Sequence, residues 1–449
     1  MDNMVNFIWA WLAIWLSGIW VAIGQWILGK KAVEVMWKNK DLSSFLLTVT
    51  ILGIALVESA AIYGLIVAFQ ILGNETITLW ASIWAWLAIW LAWFWAWVGE
   101  WKLIAGAIWA ISKNPELKSK IMTFMVLFVA LVESAAIYGL VIAFKILGDV
   151  DFTSEAFIWM WLAIWLAWLW VSIWEWILAE KAMEMMWKQV KMISFFLTVT
   201  ILGIALVESA AIYGLVVAFD IFAKDLSMLA AIWSWAAIWL AWLWAWVGEW
   251  ILIAWAMTAM GRNPLIKWKL MTFMVLFVAL VEVTAIYGLI ISFKISGSVD
   301  SSIDQMVYLG AWLAIWLAWL WVGIWRWYLS EESMKTMWKN PGLIGFLLTV
   351  SILWVALVES AAIYALVVSF QILAAEWLTW LAAAGAGLAI WFAWLGAWIG
   401  EWLLIKGAIK WINSNPEEKG KTLAFMVLFV ALIEVVAIYG LIIAFKIIG

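Results

Sequence analysis

A single glutamate interrupts each of six long apolar stretches, and this repeated charge constrains the fold more than any other feature. The first stands within residues 55–65, Ala-Leu-Val-Glu-Ser-Ala-Ala-Ile-Tyr-Gly-Leu, and near copies follow at steps of 75, 75, 74, 77 and 75 residues. The six are Glu58, Glu133, Glu208, Glu282, Glu359 and Glu434. An ionisable side chain at mid-membrane depth is costly and is by default a functional-site hypothesis. One could join two helices as a polar contact, but six in one register suggest an ion relay.

The composition indicates a membrane protein. Of 449 residues, 69% are hydrophobic and 12% are charged, and the mean hydropathy is +1.08. A soluble domain cannot bury so much apolar surface. The chain has no His and no Cys, which excludes imidazole catalysis, thiol nucleophiles, disulfides and most transition-metal sites. We expect no cofactor, and the net charge of −4 gives no reason to expect nucleic-acid binding.

Each repeat contains two apolar stretches of span length, separated by a Lys-rich loop. In the first repeat we expect helices over about residues 7–28 and 43–72, with a loop at 29–34. Even-numbered repeats carry an Asn-Pro loop, as in residues 113–116, and the fifth repeat is mixed. The predicted fold is an all-α membrane protein of six tandem transmembrane helical hairpins, with twelve spans. Hairpins 1 to 6 are residues 1–74, 75–148, 149–223, 224–297, 298–374 and 375–449.

The loop charges predict an orientation. Loops within hairpins are rich in lysine, such as Lys30 and Lys113, whereas connections between hairpins carry acidic residues such as Asp304 and Glu376. The positive-inside rule then places the hairpin loops in the cytoplasm and both termini outside the cell membrane. The first residues, Met-Asp-Asn-Met, lack the basic segment of a signal peptide, so we expect the first span to be retained.

Tryptophan and glycine exchange for one another at equivalent positions of the repeats. The residues 38 positions before the six glutamates are Trp20, Trp95, Trp170, Trp244, Trp321 and Gly396. Those 34 positions before them are Gly24, Gly99, Trp174, Gly248, Trp325 and Gly400. Glycine lets membrane helices approach closely, and overpacking by a few methylenes typically costs about 1–3 kcal/mol.

We therefore hypothesise that many of the 47 tryptophans stand for glycine. Some bacterial genetic codes read UGA as glycine and others read it as tryptophan, so translation with the wrong code would give this pattern. A deliberately Trp-substituted chain and a natural Trp-rich chain are the alternatives. The coding DNA or an intact mass decides among them.

Three motifs together resemble the proteolipid c-subunit of rotary F-type and V-type ATP synthases and ATPases. They are a Gly-striped first helix, the Asn-Pro-Glu loop at residues 114–116, and Glu-Ser-x-x-Ile-Tyr at residues 58–63 of the second helix. The resemblance covers the whole chain, six times. It implies a rotor ring with first helices inside and second helices outside, and with sodium ions or protons carried on the second-helix glutamates.

The resemblance also implies partners. The chain would contact membrane lipid and further copies of itself or other proteolipids in the ring. The a-subunit of the stator would supply an arginine. The central stalk would meet the Lys-rich loops. The chain has no P-loop, so we expect a non-catalytic component with the ATP chemistry on other subunits. Ring size and the choice between F-type and V-type stay open.

The resemblance further implies a set of ion ligands. In sodium-binding members of the family, a first-helix Gln, the central Glu and the Ser after it help to coordinate the ion, and Gln25, Glu58 and Ser59 match that set. Across all hairpins the first-helix position holds Gln25, Glu100, Glu175, Glu249, Arg326 and Glu401. The hydroxyl candidates are Ser59, Ser134, Ser209, Thr284 and Ser360, together with Tyr63, Tyr138, Tyr213, Tyr287, Tyr364 and Tyr439. Hairpins 4 and 6 depart from the pattern, with Val283 and Val435 directly after the glutamate.

Four hairpins place a second glutamate where hairpin 1 has Gln25. If both helices face one site, two carboxylates that close must share a proton or hold a cation. The alternative is that the first-helix glutamate extends toward the cytoplasmic face. Oxygen ligands suit sodium, whereas a bare carboxyl in an apolar pocket suits a proton.

Arg326 is the exception among the first-helix residues. It is expected either to pair with Glu359 and block ion loading in hairpin 5, or to extend to the cytoplasmic face.

Two other functions are alternatives to the rotor. A secondary transporter or channel is one, but inverted repeats need an odd number of spans per repeat, and each repeat here has two. A non-transporting Trp-rich helical bundle is the other, and six central glutamates argue against it.

Overall fold

The computed structural model describes residues 2–74, 77–148, 156–224, 226–298 and 304–449, except for some side chains within the helices. All regular structure in these ranges is helical. The chain divides into two compact units, Met1–Leu215 and Val216–Gly449, and each is described by itself.

The helices form six hairpins in chain order. They are α1 (Asp2–Lys38) with α2 (Ser43–Val57) and α3 (Ser59–Gly73); α4 (Leu79–Lys113) with α5 (Lys118–Leu147); α6 (Ala156–Lys188) with α7 (Ile193–Ala223); α8 (Met228–Arg262) with α9 (Lys267–Ser296); α10 (Tyr308–Lys339) with α11 (Ile344–Ala374); and α12 (Trp380–Ser414) with α13 (Lys419–Ile448). The all-α hairpin architecture predicted from the sequence is confirmed.

Proline sets the turn of four hairpins. In hairpin 2, helix α4 ends at Lys113, Asn114 leaves the helical region with φ −142° and ψ 86°, and Pro115 opens a short 3-10 turn. Proline has no backbone N–H and disfavours the α region for the residue before it. The same arrangement recurs at Asn263, Asn340 and Asn415.

The first helix of hairpin 1 is longer than the sequence predicts. The predicted loop at residues 29–34 is wrong, because α1 continues to Lys38 and only Asn39 and a 3-10 turn, Lys40–Leu42, separate it from α2. Leu28, Ala32 and Val35 are buried, and their spacing continues the apolar face of the helix. The lysines therefore lie on a helix surface, not in a loop.

Side-chain hydroxyl groups cap the N-termini of three of the first helices. Thr78 Oγ1 accepts from Ala81 N at 3.2 Å at the start of α4, and Ser227 and Thr379 cap α8 and α12 in the same way. Each cap satisfies a backbone N–H that the first turn leaves without a partner. These caps fix where the first helix begins after the connection between hairpins.

In the unit Met1–Leu215, the first helices pack side by side. Helix α4 contacts α1 on one side and α6 on the other, while α3 packs against both α1 and α4, and α5 against both α4 and α6. Each of these second helices therefore covers the gap between its own first helix and the next one.

The unit Val216–Gly449 repeats this arrangement. Helix α10 contacts α8 and α12, α9 packs against α8 and α10, and α11 packs against α10 and α12. The last second helix, α13, contacts α12 and α11.

In hairpins 1 and 4, close packing depends on the glycine that follows the repeated tyrosine. A Cβ on Gly64 would lie 2.5 Å from Ser17 Oγ and 2.8 Å from the Ala13 carbonyl oxygen of α1, and one on Gly288 would lie 2.6 Å from the Ala237 oxygen of α8. Small residues at such positions let two helix backbones approach. The approach brings the middle of each second helix against its first helix.

Eight helices are long and apolar enough to cross a membrane by length and composition, within the described residues. They include all the second helices of hairpins 2 to 6, the α2–α3 segment, α1 and α12. Shorter apolar segments are Leu79–Trp90 in α4, Met228–Trp239 in α8, and Gln305–Trp316, which comprises a 3-10 turn and the start of α10. Some of the side chains that follow these segments lie outside the described residues. The chain is a multi-pass membrane protein.

Candidate functional site

The six central glutamates stand near the middle of their second helices, and we number the sites 1 to 6 after the hairpins. Five of these helices continue through the glutamate, whereas in hairpin 1 a turn at Glu58 separates α2 from α3. Glu58 N still donates to the Ile54 oxygen at 3.1 Å, so the chain keeps its direction there. Glu58 is exposed, and the other five glutamates are half-buried.

The first-helix glutamates are the most buried charged groups described. Glu100, Glu175 and Glu249 have no exposed surface, and Glu401 is 1% exposed. Neither carboxylate oxygen of any of the four has a hydrogen-bond partner among the described residues. The alternative prediction, that these side chains extend to the cytoplasmic face, is wrong. A buried carboxyl without a partner needs a proton or a cation.

Each first-helix glutamate lies within electrostatic range of the central glutamate of its own hairpin. Glu100 lies within electrostatic range of Glu133, and Glu175 lies within range of Glu208. The other two pairs are Glu249 with Glu282, and Glu401 with Glu434. The structure therefore places two carboxylates at each of these four sites.

Hydroxyl groups reach the central glutamates from the preceding hairpin. Ser134 Oγ of hairpin 2 donates to Glu208 Oε1 of hairpin 3 at 2.7 Å, and Ser360 Oγ of hairpin 5 donates to Glu434 Oε1 of hairpin 6 at 3.2 Å. The sequence pattern groups each serine with the glutamate directly before it, and at these two sites the structure corrects that grouping. Adjacent residues on a helix point in directions about 100° apart, so a serine beside its own glutamate faces the neighbouring helix.

The tyrosines follow the same rule. Tyr287 of hairpin 4 donates to Glu359 Oε1 of hairpin 5 at 3.1 Å. Tyr63 of hairpin 1 lies within electrostatic range of Glu133 and Glu100. Tyr138 has the same relation to Glu208 and Glu175, and Tyr364 stacks on Trp394 of hairpin 6.

Site 1 has a different first-helix partner. Gln25 Nε2 donates to Glu58 Oε1 at 2.9 Å, within the same hairpin. The predicted serine of this set, Ser59, donates to the Leu56 carbonyl oxygen of its own helix at 2.6 Å. Gln25 and Glu58 are therefore hydrogen-bonded to each other, whereas the Ser59 hydroxyl is hydrogen-bonded to the backbone of its own helix.

Four further hydroxyl candidates have separate outcomes. Ser209 Oγ and Thr284 Oγ1 donate to the carbonyl oxygens of Leu206 and Val281, and Tyr439 is 61% exposed. The Tyr213 side chain is half-buried. The Arg326 side chain lies outside the described residues, so its expected pairing with Glu359 stays a prediction.

One charged first-helix residue, Lys102, is absent from the predicted set. Its ammonium lies 4.2 Å from the centre of the Trp176 ring, and it borders a cavity of about 700 Å³ that Glu180 also lines. The sequence could have revealed it, because the equivalent positions of the other hairpins hold uncharged residues. These are Ile27, Ile177, Ile251, Tyr328 and Leu403. Lys102, two residues beyond Glu100 in α4, lies within electrostatic range of Glu180 of hairpin 3.

The donor set at sites 3 and 6 is made of oxygen. At each, a serine hydroxyl donates to the central glutamate, and a second carboxyl lies within electrostatic range of that glutamate. At site 3, Tyr138 is also within electrostatic range of Glu175 and Glu208. Oxygen ligands suit a hard cation, and a shared proton also relieves two close carboxylates. Within the described residues no group of three or more His, Cys, Asp or Glu side chains could hold a metal ion, so the hydroxyls would have to complete the coordination.

Equivalent positions of hairpins 1 and 5 show how differently glycine and tryptophan pack. A Cβ on Gly53 would lie 2.7 Å from Ile104 Cγ2, so even a methyl group there would require the Ile104 side chain to shift. The equivalent residue of hairpin 5, Trp354, is fully buried, and its indole N–H has no acceptor among the described residues. The same holds for the indole N–H groups of Trp394 and Trp398. The hypothesis that these tryptophans stand for glycine stays a prediction.

Comparison with known proteins matches every hairpin to one family. The model of the ATP synthase C-subunit family matches residues 8–71, 83–146, 158–221, 232–295, 309–372 and 384–447. Among similar proteins is the ATP synthase c-subunit of Clostridium beijerinckii, 45% identical over 59 residues, which is 13% of this chain and 83% of that protein. The ATP synthase c-subunit of Syntrophobacter fumaroxidans is 40% identical over 62 residues, 14% of this chain and 67% of that protein.

A third relative covers a shorter stretch. The ATP synthase c-subunit of Chloroflexus aurantiacus is 46% identical over 44 residues, 10% of this chain and 58% of that protein. Each relative thus corresponds to about one hairpin, and the family match extends through all six. The hairpins, the repeated glutamates and these matches show that the chain belongs to the ATP synthase C-subunit family.

Proposed function

We propose that this chain forms the membrane rotor ring of an ion-driven ATP synthase and carries sodium ions on its second-helix glutamates. The observation that carries the proposal is the pair of carboxylates at four sites, where the first-helix member is buried and has no hydrogen-bond partner among the described residues. A carboxylate in that position must be neutralised. A bound cation does this reversibly, as transport requires.

Charge balance supports sodium at the paired sites. Two close carboxylates do not both ionise cheaply, so the empty pair keeps one shared proton and one negative charge. One sodium ion then makes the site neutral. At site 3, oxygen atoms of Glu175, Glu208 and Ser134 offer the hard ligands that such an ion prefers.

The neutral site can move through lipid, and the empty one cannot. A charged side chain in the hydrocarbon region is costly, so a glutamate leaves the aqueous access path only after it has taken up an ion. We propose that exchange occurs against a stator component that presents an arginine. The Lys-rich ends of the hairpins would meet the central stalk on the cytoplasmic side, with both termini outside.

Carbodiimide labelling tests the ion. The reagent modifies protonated carboxyl groups, so bound sodium should protect the central glutamates. At fixed pH, in the assembled complex, we expect sodium to slow the labelling of Glu133 and Glu208, as measured by peptide mass. Potassium chloride at equal ionic strength is the control.

Equal labelling of Glu133 in sodium and in potassium would overturn sodium as the cargo and favour protons on the same carboxylates. Labelling of Glu359 tests Arg326 in the same experiment. Modification of Glu359 at the rate of Glu58 would rule out a blocked site in hairpin 5.

A further inference from the structure

Two buried hydroxyl groups of the described residues have no hydrogen-bond partner, and one of them lies beside an ion site. They are Ser172 Oγ and Ser292 Oγ. Ser292 stands ten residues beyond Glu282 in α9, which is about 15 Å along the helix axis. Ser172 stands three residues before Glu175 in α6, about one turn away. Ser172 is therefore the unpartnered hydroxyl that lies next to a carboxylate pair.

The Ser172 hydroxyl differs from other buried hydroxyls of the helices. The buried Thr50 and Thr200 side chains donate to the carbonyl oxygens four residues earlier in their own helices, at 2.7 and 2.6 Å. Serine and threonine within helices commonly satisfy their hydroxyls in this way. Ser172 is fully buried and makes no such bond to the described residues. A buried polar group without a partner is costly, so this hydroxyl needs a ligand.

The neighbours of Ser172 on α6 and α5 belong to site 3. Residues three apart on a helix are neighbours on its surface, so Ser172 lies beside Glu175, displaced by about 4.5 Å toward the start of α6. Helix α5, which packs against α6, carries Tyr138, and Tyr138 lies within electrostatic range of Glu175 and Glu208. Helix α5 also carries Ser134, which donates to Glu208. Ser172 adds a hydroxyl oxygen from α6 itself to this set.

No other hairpin has a side-chain oxygen at the position of Ser172. The residues 36 positions before the six central glutamates are Ala22, Trp97, Ser172, Trp246, Gly323 and Trp398. An indole offers only an N–H donor, which cannot bind a cation as an oxygen does. The comparison holds equally if the three tryptophans stand for glycine, because glycine has no side-chain oxygen either. Site 3 thus differs from the other paired sites by one hydroxyl.

We infer that Ser172 is a further oxygen ligand of the ion at site 3, a role that the corresponding residue of no other hairpin can take. Sodium is bound by oxygen atoms from several directions, as hard cations are. Glu175 and Ser172 would supply them from α6, and Glu208 from α7. The inference rests on the proposed function, because it assigns a ligand to the sodium ion proposed there.

Sodium titration of carbodiimide labelling tests this role. The assembled complex is labelled at fixed pH over a series of sodium concentrations, and the modified peptides are measured by mass. Ser172→Ala should raise the sodium concentration that half-protects Glu208 about fivefold, the usual effect of losing one hydrogen-bond-strength contact. Glu434 is the internal control, because site 6 has a carboxylate pair and the Ser360 hydroxyl but Trp398 in place of the serine.

A matched pair of variants separates the hydroxyl from the size of the side chain. Ser172→Thr and Ser172→Val introduce side chains of nearly the same shape, and only threonine keeps the oxygen. Ser172→Thr should keep the half-protecting sodium concentration of the unchanged chain, whereas Ser172→Val should raise it as Ser172→Ala does. Equal behaviour of the two variants would overturn the inference, because size alone would then explain the effect.

The labelling rate of Glu208 without sodium provides a further criterion. It should be the same in Ser172→Ala as in the unchanged chain. A hydroxyl that merely donated to the Glu175 carboxylate would favour the ionised form of the pair, so a changed sodium-free rate with an unchanged sodium dependence would contradict a role as ion ligand.

The remaining outcomes distinguish this inference from the proposed function. Half-protection of Glu208 at the same sodium concentration in Ser172→Ala would overturn the inference and leave sodium as the cargo. Equal weakening at Glu208 and Glu434 would show a general packing effect and would also overturn it. Absence of sodium protection at both glutamates in the unchanged chain would overturn the proposed sodium transport, and the inference with it.

Discussion

Sites 1 and 3 lie in the same compact unit and present the same glutamate in different surroundings. At site 3, Glu208 lies within electrostatic range of the buried Glu175 and accepts a hydrogen bond from Ser134 of the preceding hairpin. At site 1, Glu58 is exposed and accepts a hydrogen bond from Gln25 of its own hairpin. The difference shows that a central glutamate alone does not define a site: the first-helix residue differs between the two sites, and at site 3 the preceding hairpin supplies a hydroxyl.

The largest effect is expected from removing the central carboxylate of the interior site. Glu208→Gln should abolish ion loading at site 3 and reduce ATP-driven sodium uptake by proteoliposomes at least tenfold, because an amide cannot supply the negative charge that holds the ion on the second helix. Glu58→Gln, measured beside it, shows whether the two sites contribute equally. Glu180→Gln is the matched control, since Glu180 is exposed on the same first helix as Glu175. Uptake at the control level in Glu208→Gln would contradict the assignment of site 3.

Exchanging the first-helix residues should exchange the behaviour of the two sites. Without sodium, Glu208 is expected to label with carbodiimide faster than Glu58, because a carboxylate pair keeps a shared proton whereas the Gln25 amide favours the ionised form. Glu175→Gln should slow the labelling of Glu208, and Gln25→Glu should speed that of Glu58, each about tenfold. If both rates stay unchanged, the first-helix residues do not face the central glutamates.

The smallest effect is expected from the hydroxyl. Ser134→Ala removes one hydrogen bond, worth about 1 kcal/mol, and should weaken sodium protection of Glu208 about fivefold. Glu133, directly before Ser134 in sequence, is the internal control and should keep its protection. Weaker protection of Glu133 instead would restore the grouping of each serine with its own glutamate.

Much of the difference between sites 1 and 3 could be predicted from the sequence. The repeat of the glutamates gives the six hairpins, and the Asn-Pro pairs give four of the turns, because proline stops a helix by its own covalent geometry. The pairing of Glu175 with Glu208 also follows, since the constant spacing of 33 residues puts both at one depth of one hairpin.

The origin of the hydroxyls could not be predicted in this way. Residues 75 apart lie at equal depth in every hairpin, so depth alone does not say whether Glu208 is served by Ser134 or by Ser209. That choice depends on how neighbouring hairpins pack sideways, which no spacing along the chain encodes. The length of α1 is a different case, because the charges of Lys30 and Lys31 suggest a loop although the apolar spacing of Leu28, Ala32 and Val35 continues past them.

The joining of six hairpins into one polypeptide also has an energetic consequence for the organism. If these chains alone form the ring, it gains or loses binding sites six at a time, so the number of ions that pass per revolution changes only in large increments. That number determines the ratio of ions transported to ATP molecules made. A cell that uses this chain cannot adjust the ratio by adding a single hairpin. It must maintain the membrane ion gradient that this fixed number of ions per revolution requires.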